Sequence, residues 1–158
     1  MDDPDPNTGL LFQLLTLFAL ILLNAFFAMS EIAIITLNDT KVAKMAEEGH
    51  KRARQVVKLT ENSSRFLSTI QIGITLAGFL ASATASRSFV DRLSDLIMKI
   101  PHMSPSAHSF VSGFAMVIIT VIISFFSLVL GELVPKRIAM QIPEKIAFKT
   151  VGIILLIA

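Results

Sequence analysis

Three long apolar runs dominate the chain and limit it to a small set of folds. They are Leu10 to Leu37, Phe66 to Ala85 and Phe110 to Val134. Each is long enough to cross a bilayer core, which takes roughly 20 apolar residues. Backbone N–H and C=O groups find no water inside lipid, so an apolar run of this length spans as a helix. The predicted fold is therefore an all-α membrane protein with three transmembrane helices over about 9–37, 66–85 and 108–134. The balance of residues agrees: 53% are hydrophobic, and the mean hydropathy of +0.70 is too high for a soluble domain of this size. A fourth apolar run, Ile146 to Ala158, is cut off by the end of the chain, which reads as part of a longer protein. It is either the start of a further span or an interfacial helix.

Orientation follows from Lys and Arg in the connections. The first connection carries Lys41, Lys44, Lys51, Arg52, Arg54, Lys58 and Arg65, whereas the second has Arg87, Arg92 and Lys99. The acidic tail, residues 1–8, is expected outside the cell membrane, the first connection (38–62) in the cytoplasm, and the C-terminus in the cytoplasm. The tail has three Asp and no basic residue, unlike a cleavable signal peptide. Asn38 or Asp39 can cap a helix running to about Glu48, with Gly49 ending it, and Asn62 or Ser63 can cap the second span. The basic face of this connection suits either an anionic lipid leaflet or plain solvation. Phe89 to Ile100 reads as a short amphipathic helix ended by Pro101.

The chain contains no cysteine, which excludes disulfides and thiolate metal sites. His50, His102 and His108 lack the spacing of a metal site. No nucleophile–base pair, phosphate loop or base-reading element is present, so the chain reads as neither an enzyme nor a nucleic-acid binder.

Polar residues within the spans fall in register. In the first span Gln13, Thr16, Asn24, Ala28 and Glu31 share one helical stripe. In the second, Ser68, Gln71, Thr75, Gly78 and Ser82 recur at steps of three or four, and in the third Thr120, Ser124, Ser127 and Gly131 do so beside Glu132. Small and hydroxyl residues also let membrane helices pack closely, and packing accounts for Ser68, Ser82, Thr120 and Ser124. Asn24 and Glu132 are different, because a smaller uncharged residue would pack as well. A carboxylate at membrane depth costs several kcal/mol unless it faces a partner or a polar interior. Glu31 sits nearer the span end, where it can reach the headgroups.

The run Gly131-Glu132-Leu133-Val134-Pro135-Lys136 is the most informative local motif. Pro135 has no N–H, so the carbonyl of Gly131, four residues earlier, loses its helical donor. A freed carbonyl beside a carboxylate makes an oxygen-rich pocket of the kind hard cations such as Mg²⁺ and Na⁺ prefer. Broken helices are also where transporters bind ions. The alternative is an ordinary proline kink ending a span, with Lys136 anchoring at the headgroups.

Three segments together resemble one family: Asn24-Ala25-Phe26-Phe27-Ala28-Met29-Ser30-Glu31, Ser68-Thr69-Ile70-Gln71-Ile72-Gly73-Ile74-Thr75-Leu76-Ala77-Gly78, and Gly131-Glu132-Leu133-Val134-Pro135-Lys136. The chain is similar to the membrane domain of the CorC/CNNM (cyclin M) magnesium and cobalt efflux proteins over essentially its whole length. The resemblance implies a homodimer of three-span protomers that exports Mg²⁺, coupled to Na⁺ entry, with Ile146 to Ala158 as a juxtamembrane helix (about 144–158). It implies a cytosolic CBS-domain pair that binds ATP, and a CorC-type domain, beyond Ala158. It implies an ion site built from Glu132 and the Gly131 carbonyl, lined by Asn24 and Ser30 from the first helix and by Gln71, Gly73 and Thr75 from the second. The chain departs from the family pattern at Ala28, Ile74 and Gly78, where relatives carry oxygen ligands. Those departures leave two other readings open: a non-transporting membrane module that anchors or regulates partners, and a carrier for a different ion.

Overall fold

A computed structural model describes residues 6–98 and 105–157, with side chains over 9–85 and 109–157. The chain is helical along its described length, without a strand among the described residues. Its helices are α1 (Pro6–Ile35), α2 (Asp39–Glu47), α3 (Lys51–Thr60), α4 (Ser63–Met98), α5 (Pro105–Leu128), α6 (Val134–Gln141) and α7 (Pro143–Ile157). A π-helical segment, Val129–Leu133, joins α5 to α6. Three stretches are long and apolar enough to cross a membrane: Gly9–Ile35, Ser63–Ala85 and Ser109–Gln141. The acidic residues Asp2, Asp3 and Asp5, and the Pro101 stop, lie outside the described residues.

Local chemistry sets the breaks in the first connection. The Asn38 side chain accepts from the Lys41 amide at 2.9 Å and caps α2. Gly49 ends α2 at φ +97°, a conformation that L side chains rarely adopt. The Gly49 amide then bonds the Ala46 carbonyl, and the His50 amide the Met45 carbonyl, a pairing that satisfies the last carbonyls of the helix. His50 turns the chain directly into α3, its Nδ1 accepting from the Ala53 amide at 3.1 Å. Capping by His50 was not foreseen in the sequence, where imidazole is an unusual choice for this position.

Two elements run further than the apolar pattern indicates. The amphipathic stretch expected as a separate helix from Phe89 is instead the continuation of α4, which is unbroken to Met98. Ser86, Arg87 and Ser88 end the apolar run but include neither Gly nor Pro, so nothing there breaks the helix. The third span likewise continues past Val134 into α6. Proline is tolerated there because the Gly131 carbonyl, which its missing N–H would leave unpaired, takes a donor from α1 instead.

The core lies where the C-terminal end of α1 meets α2, α3, the start of α4, α6 and α7. Ala33, Ile34, Val42, Ala53, Val56, Leu59, Phe66, Ile70, Ala139, Ala147, Val151 and Ile154 are all buried there. Lys41 of α2 pairs with Glu144 in the first turn of α7, and the His50 ring lies 5.0 Å from that of Phe148. Further along the spans, large side chains such as Phe12, Phe79 and Phe110 are exposed, as expected of surfaces solvated by lipid. The buried residues of α1 and α4 at that level are mostly alanines (Ala25, Ala28, Ala77, Ala81, Ala85). Lipid is as apolar as leucine, so association of these helices depends on close packing, which small residues permit.

Gly73 marks the tightest point of that seam. A Cβ placed on it would come within 2.9 Å of the Phe27 ring. Gly73→Ala is therefore expected to cost about 1–3 kcal/mol, the usual range for overpacking. Thermal unfolding in detergent would show it, and a second change, Phe27→Leu, should recover most of the loss.

Candidate functional site

Pro135 cannot donate to Gly131, and the helix responds by widening. The Val134 amide bonds back to the Val129 carbonyl, five residues earlier, and the turn Val129–Leu133 becomes π-helical. The Gly131 carbonyl does not stay free. The Asn24 side chain reaches across from α1 and donates Nδ2 to it at 3.1 Å. The approach is close: a Cβ on residue 131 would lie 3.1 Å from that nitrogen.

This contact fixes the orientation of the Asn24 amide, because a carbonyl only accepts and the group facing it must be the NH₂. Asn24 is 6% exposed, and its Oδ1 is buried with no hydrogen-bond partner. A buried polar atom left unpaired costs about 1–3 kcal/mol, so an orphan of this kind calls for an explanation in function.

Asn24 lines an open cavity of about 300 Å³ together with Thr75, Gly78, Phe79, Ser82, Ser124, Ser127, Leu128 and Glu132. The polar side chains offer only oxygen, apart from the Asn24 amide nitrogen already committed to Gly131. Thr75 donates its hydroxyl proton to the Gln71 carbonyl at 2.8 Å, which leaves its lone pairs for another partner. Gly78 has nothing within 4 Å of where a Cβ would stand, so the wall is open at that point.

Glu132 is not alone. The Lys136 ammonium lies 2.8 Å from Glu132 Oε1 and 3.4 Å from Glu31 Oε2. The two carboxylates singled out in the sequence thus meet at one cation, and with all three ionised the cluster keeps one net negative charge. Its side chains are 16–30% exposed. Lys136 is therefore engaged within the protein, unlike the headgroup anchor of the alternative reading of this motif.

The structure brings together four of the seven expected site residues: Asn24, Gly131, Thr75 and Glu132. The other three lie apart from this cavity. Ser30 is fully buried and spends its hydroxyl on the Phe26 carbonyl at 2.7 Å. Gln71 lines a second cavity with Glu31 and Ser68. Gly73 packs against Phe27. Ser82 and Ser124 join the site although packing accounted for them in the sequence, and Ser127 joins with them. Their common signal was the step of three or four that kept them on the stripes of Thr75 and Glu132. Lys136 was findable too, since Glu followed by Lys four residues later is a standard pairing on a helix.

Among the described residues there is no group of three or more His, Cys, Asp or Glu that could hold a metal ion. One carboxylate amid neutral oxygens suits a cation that must also leave, since conduction needs binding weak enough for release.

The model of the cyclin M transmembrane N-terminal domain matches residues 14–158. The chain belongs to the cyclin M family. Several proteins are similar to this cyclin M domain. The UPF0053 protein sll0260 of Synechocystis sp. is 38% identical over 135 residues, covering 85% of the chain and 29% of that protein. The UPF0053 protein YhdP of Bacillus subtilis is 33% identical over 138 residues, 85% of the chain and 30% of the relative. A polyamine export protein of Salmonella typhimurium is 30% identical over 136 residues, 86% of the chain and 29% of the relative. The cyclin M domain thus spans less than a third of the length of each of these relatives.

Proposed function

We propose that this domain carries a cation across the membrane, with Mg²⁺ as cargo moving outward and Na⁺ entering in exchange. The observation that carries the proposal is a cavity lined by Asn24, whose buried Oδ1 has no hydrogen-bond partner, and otherwise offering hydroxyls and one carboxylate as its polar groups. Such an all-oxygen set suits hard cations. Mg²⁺ sheds its waters reluctantly and is usually held through one or two carboxylates with several waters retained. Glu132 supplies the carboxylate, and the open wall at Gly78 gives waters room. Two of the three positions where the chain departs from its family's pattern then matter less: Ala28 is buried, and retained water stands in for a side-chain ligand at Gly78.

We place the protein in the plasma membrane with its N-terminus outside and its first connection in the cytoplasm, following the basic residues of that connection; the homodimer is what the family resemblance implies. Cytosolic CBS and CorC-type domains would follow Ala158, with ATP bound there.

A second reading is favoured by the Lys136 contacts and by the relatives named polyamine export proteins, among them one from Haemophilus influenzae. The Glu132–Glu31 pair already accepts an alkylammonium at hydrogen-bond distance, which is the group a polyamine would present. Reconstituted vesicles separate the two. With an imposed Na⁺ gradient, Mg²⁺ flux that spermidine does not support is expected. Spermidine movement without Mg²⁺ flux would transfer the site to organic cations, and no flux of either, from folded protein, would leave a non-transporting module.

A further inference from the structure

Lys136 links two cavities through the carboxylates that line them. One is the Asn24–Glu132 cavity. The other, of about 500 Å³, is lined by Glu31, Leu67, Ser68, Gln71 and Ile72. A single stripe of α4 serves both: Ser68 and Gln71 line the second cavity, whereas Thr75, Gly78 and Ser82 line the first. Each cavity has one carboxylate, and the same ammonium holds the two.

A protein ammonium and a travelling cation compete for the same oxygens. Charge-assisted contacts of about 2.8 Å are the strong class of hydrogen bond, and Glu132 Oε1 is taken up by one. Lys136 is also tethered. Its backbone is fixed one helical turn after Glu132 by α6, so it meets the carboxylate at an effective concentration in the mM range or above. A cargo ion must therefore outcompete a built-in cation before it can settle on Glu132. Once Lys136 is displaced, Glu31 loses its partner too, and the second cavity becomes attractive to the same ion.

We propose that Lys136 is a tethered cation closing the route between the two cavities, and that cargo passes from one carboxylate to the other by taking its place. The proposal rests on the cation-carrying function and adds the residue that gates it. Two consequences follow. Without the ammonium, cations should bind Glu132 more tightly, and the route should leak.

The chain has no cysteine, so a single introduced thiol reports access cleanly. Ser68→Cys would report the Glu31 cavity and Ser124→Cys the Glu132 cavity. Ag⁺, a small thiol-reactive cation, is added to proteoliposomes in chloride-free medium from the side bearing the α4–α5 connection. With Lys136 present, Ser124→Cys should react and Ser68→Cys should react slowly. Lys136→Met should accelerate Ser68→Cys at least tenfold, Lys136→Gln should do the same, and Lys136→Arg should leave it slow. The Ser124→Cys rate in each background controls for folding. Ser68→Cys reacting equally fast with Lys136 in place would overturn the gate. So would a slow Ser68→Cys in both neutral variants while Ser124→Cys still reacts. This readout uses no Mg²⁺, so failure of the Mg²⁺ assignment would show in flux and leave the accessibility result standing.

Discussion

Glu132→Gln is expected to abolish cation flux while leaving a folded protein. The substitution keeps the shape of the side chain and removes its charge, and Glu132 is the single carboxylate lining the Asn24 cavity. A unit charge 4 Å from a unit cation is worth about 4 kcal/mol at an effective dielectric of 20. Flux should therefore fall by about two orders of magnitude or more. The effect on stability should be small. Lys136 keeps Glu31 as a partner, the cluster is partly exposed, and ion pairs with access to solvent contribute about 0–1 kcal/mol. Proteoliposome flux together with thermal unfolding of the same preparation checks both halves. Flux preserved in Glu132→Gln would remove the carboxylate from the transport site.

Asn24→Leu is expected to lower both stability and flux, for separable reasons. Leucine is close in size and belongs in a membrane span, so a purely packing role would make it harmless or better. The Gly131 carbonyl would instead lose the donor that replaces the one Pro135 cannot supply. A buried acceptor left without a partner costs about 1–3 kcal/mol. Asn24→Asp should do worse for stability, because an ionised carboxylate can only accept and would face another acceptor. Asn24→Gln retains donor and acceptor and should be the mildest of the three. Thermal unfolding ranks the three, and flux in the same samples shows whether the Oδ1 oxygen matters beyond the fold.

The legible part of this molecule is the part that one helix decides by itself. The stripe Ser68, Gln71, Thr75, Gly78 and Ser82 was readable from its spacing, and all five residues line cavities. The disturbed backbone at Gly131 was readable from the covalent chemistry of Pro135, and the helix answers it with a π turn. The fate of that carbonyl was not readable. Its donor comes from a residue 107 positions away, and no local pattern says that α1 will bring Asn24 opposite Gly131. The meeting of Glu31 with Glu132 at Lys136 is hidden for the same reason, since it needs the register of α1 against α6. Gly73 shows the converse case. Glycine in a span permits close approach of either an ion or another helix, and here the neighbour is the ring of Phe27.

On this account the cavity of Asn24 and Glu132 holds the travelling cation. Mn²⁺ takes oxygen ligands like Mg²⁺ and scatters X-rays anomalously, so crystals of the protein grown in Mn²⁺ would locate it directly. An anomalous peak within coordination distance of Asn24 Oδ1 and the Glu132 carboxylate, lost in Glu132→Gln crystals, is the predicted result. Mn²⁺ bound elsewhere in the domain, with this cavity empty at the same concentration, would move the transport site away from Asn24 and Glu132.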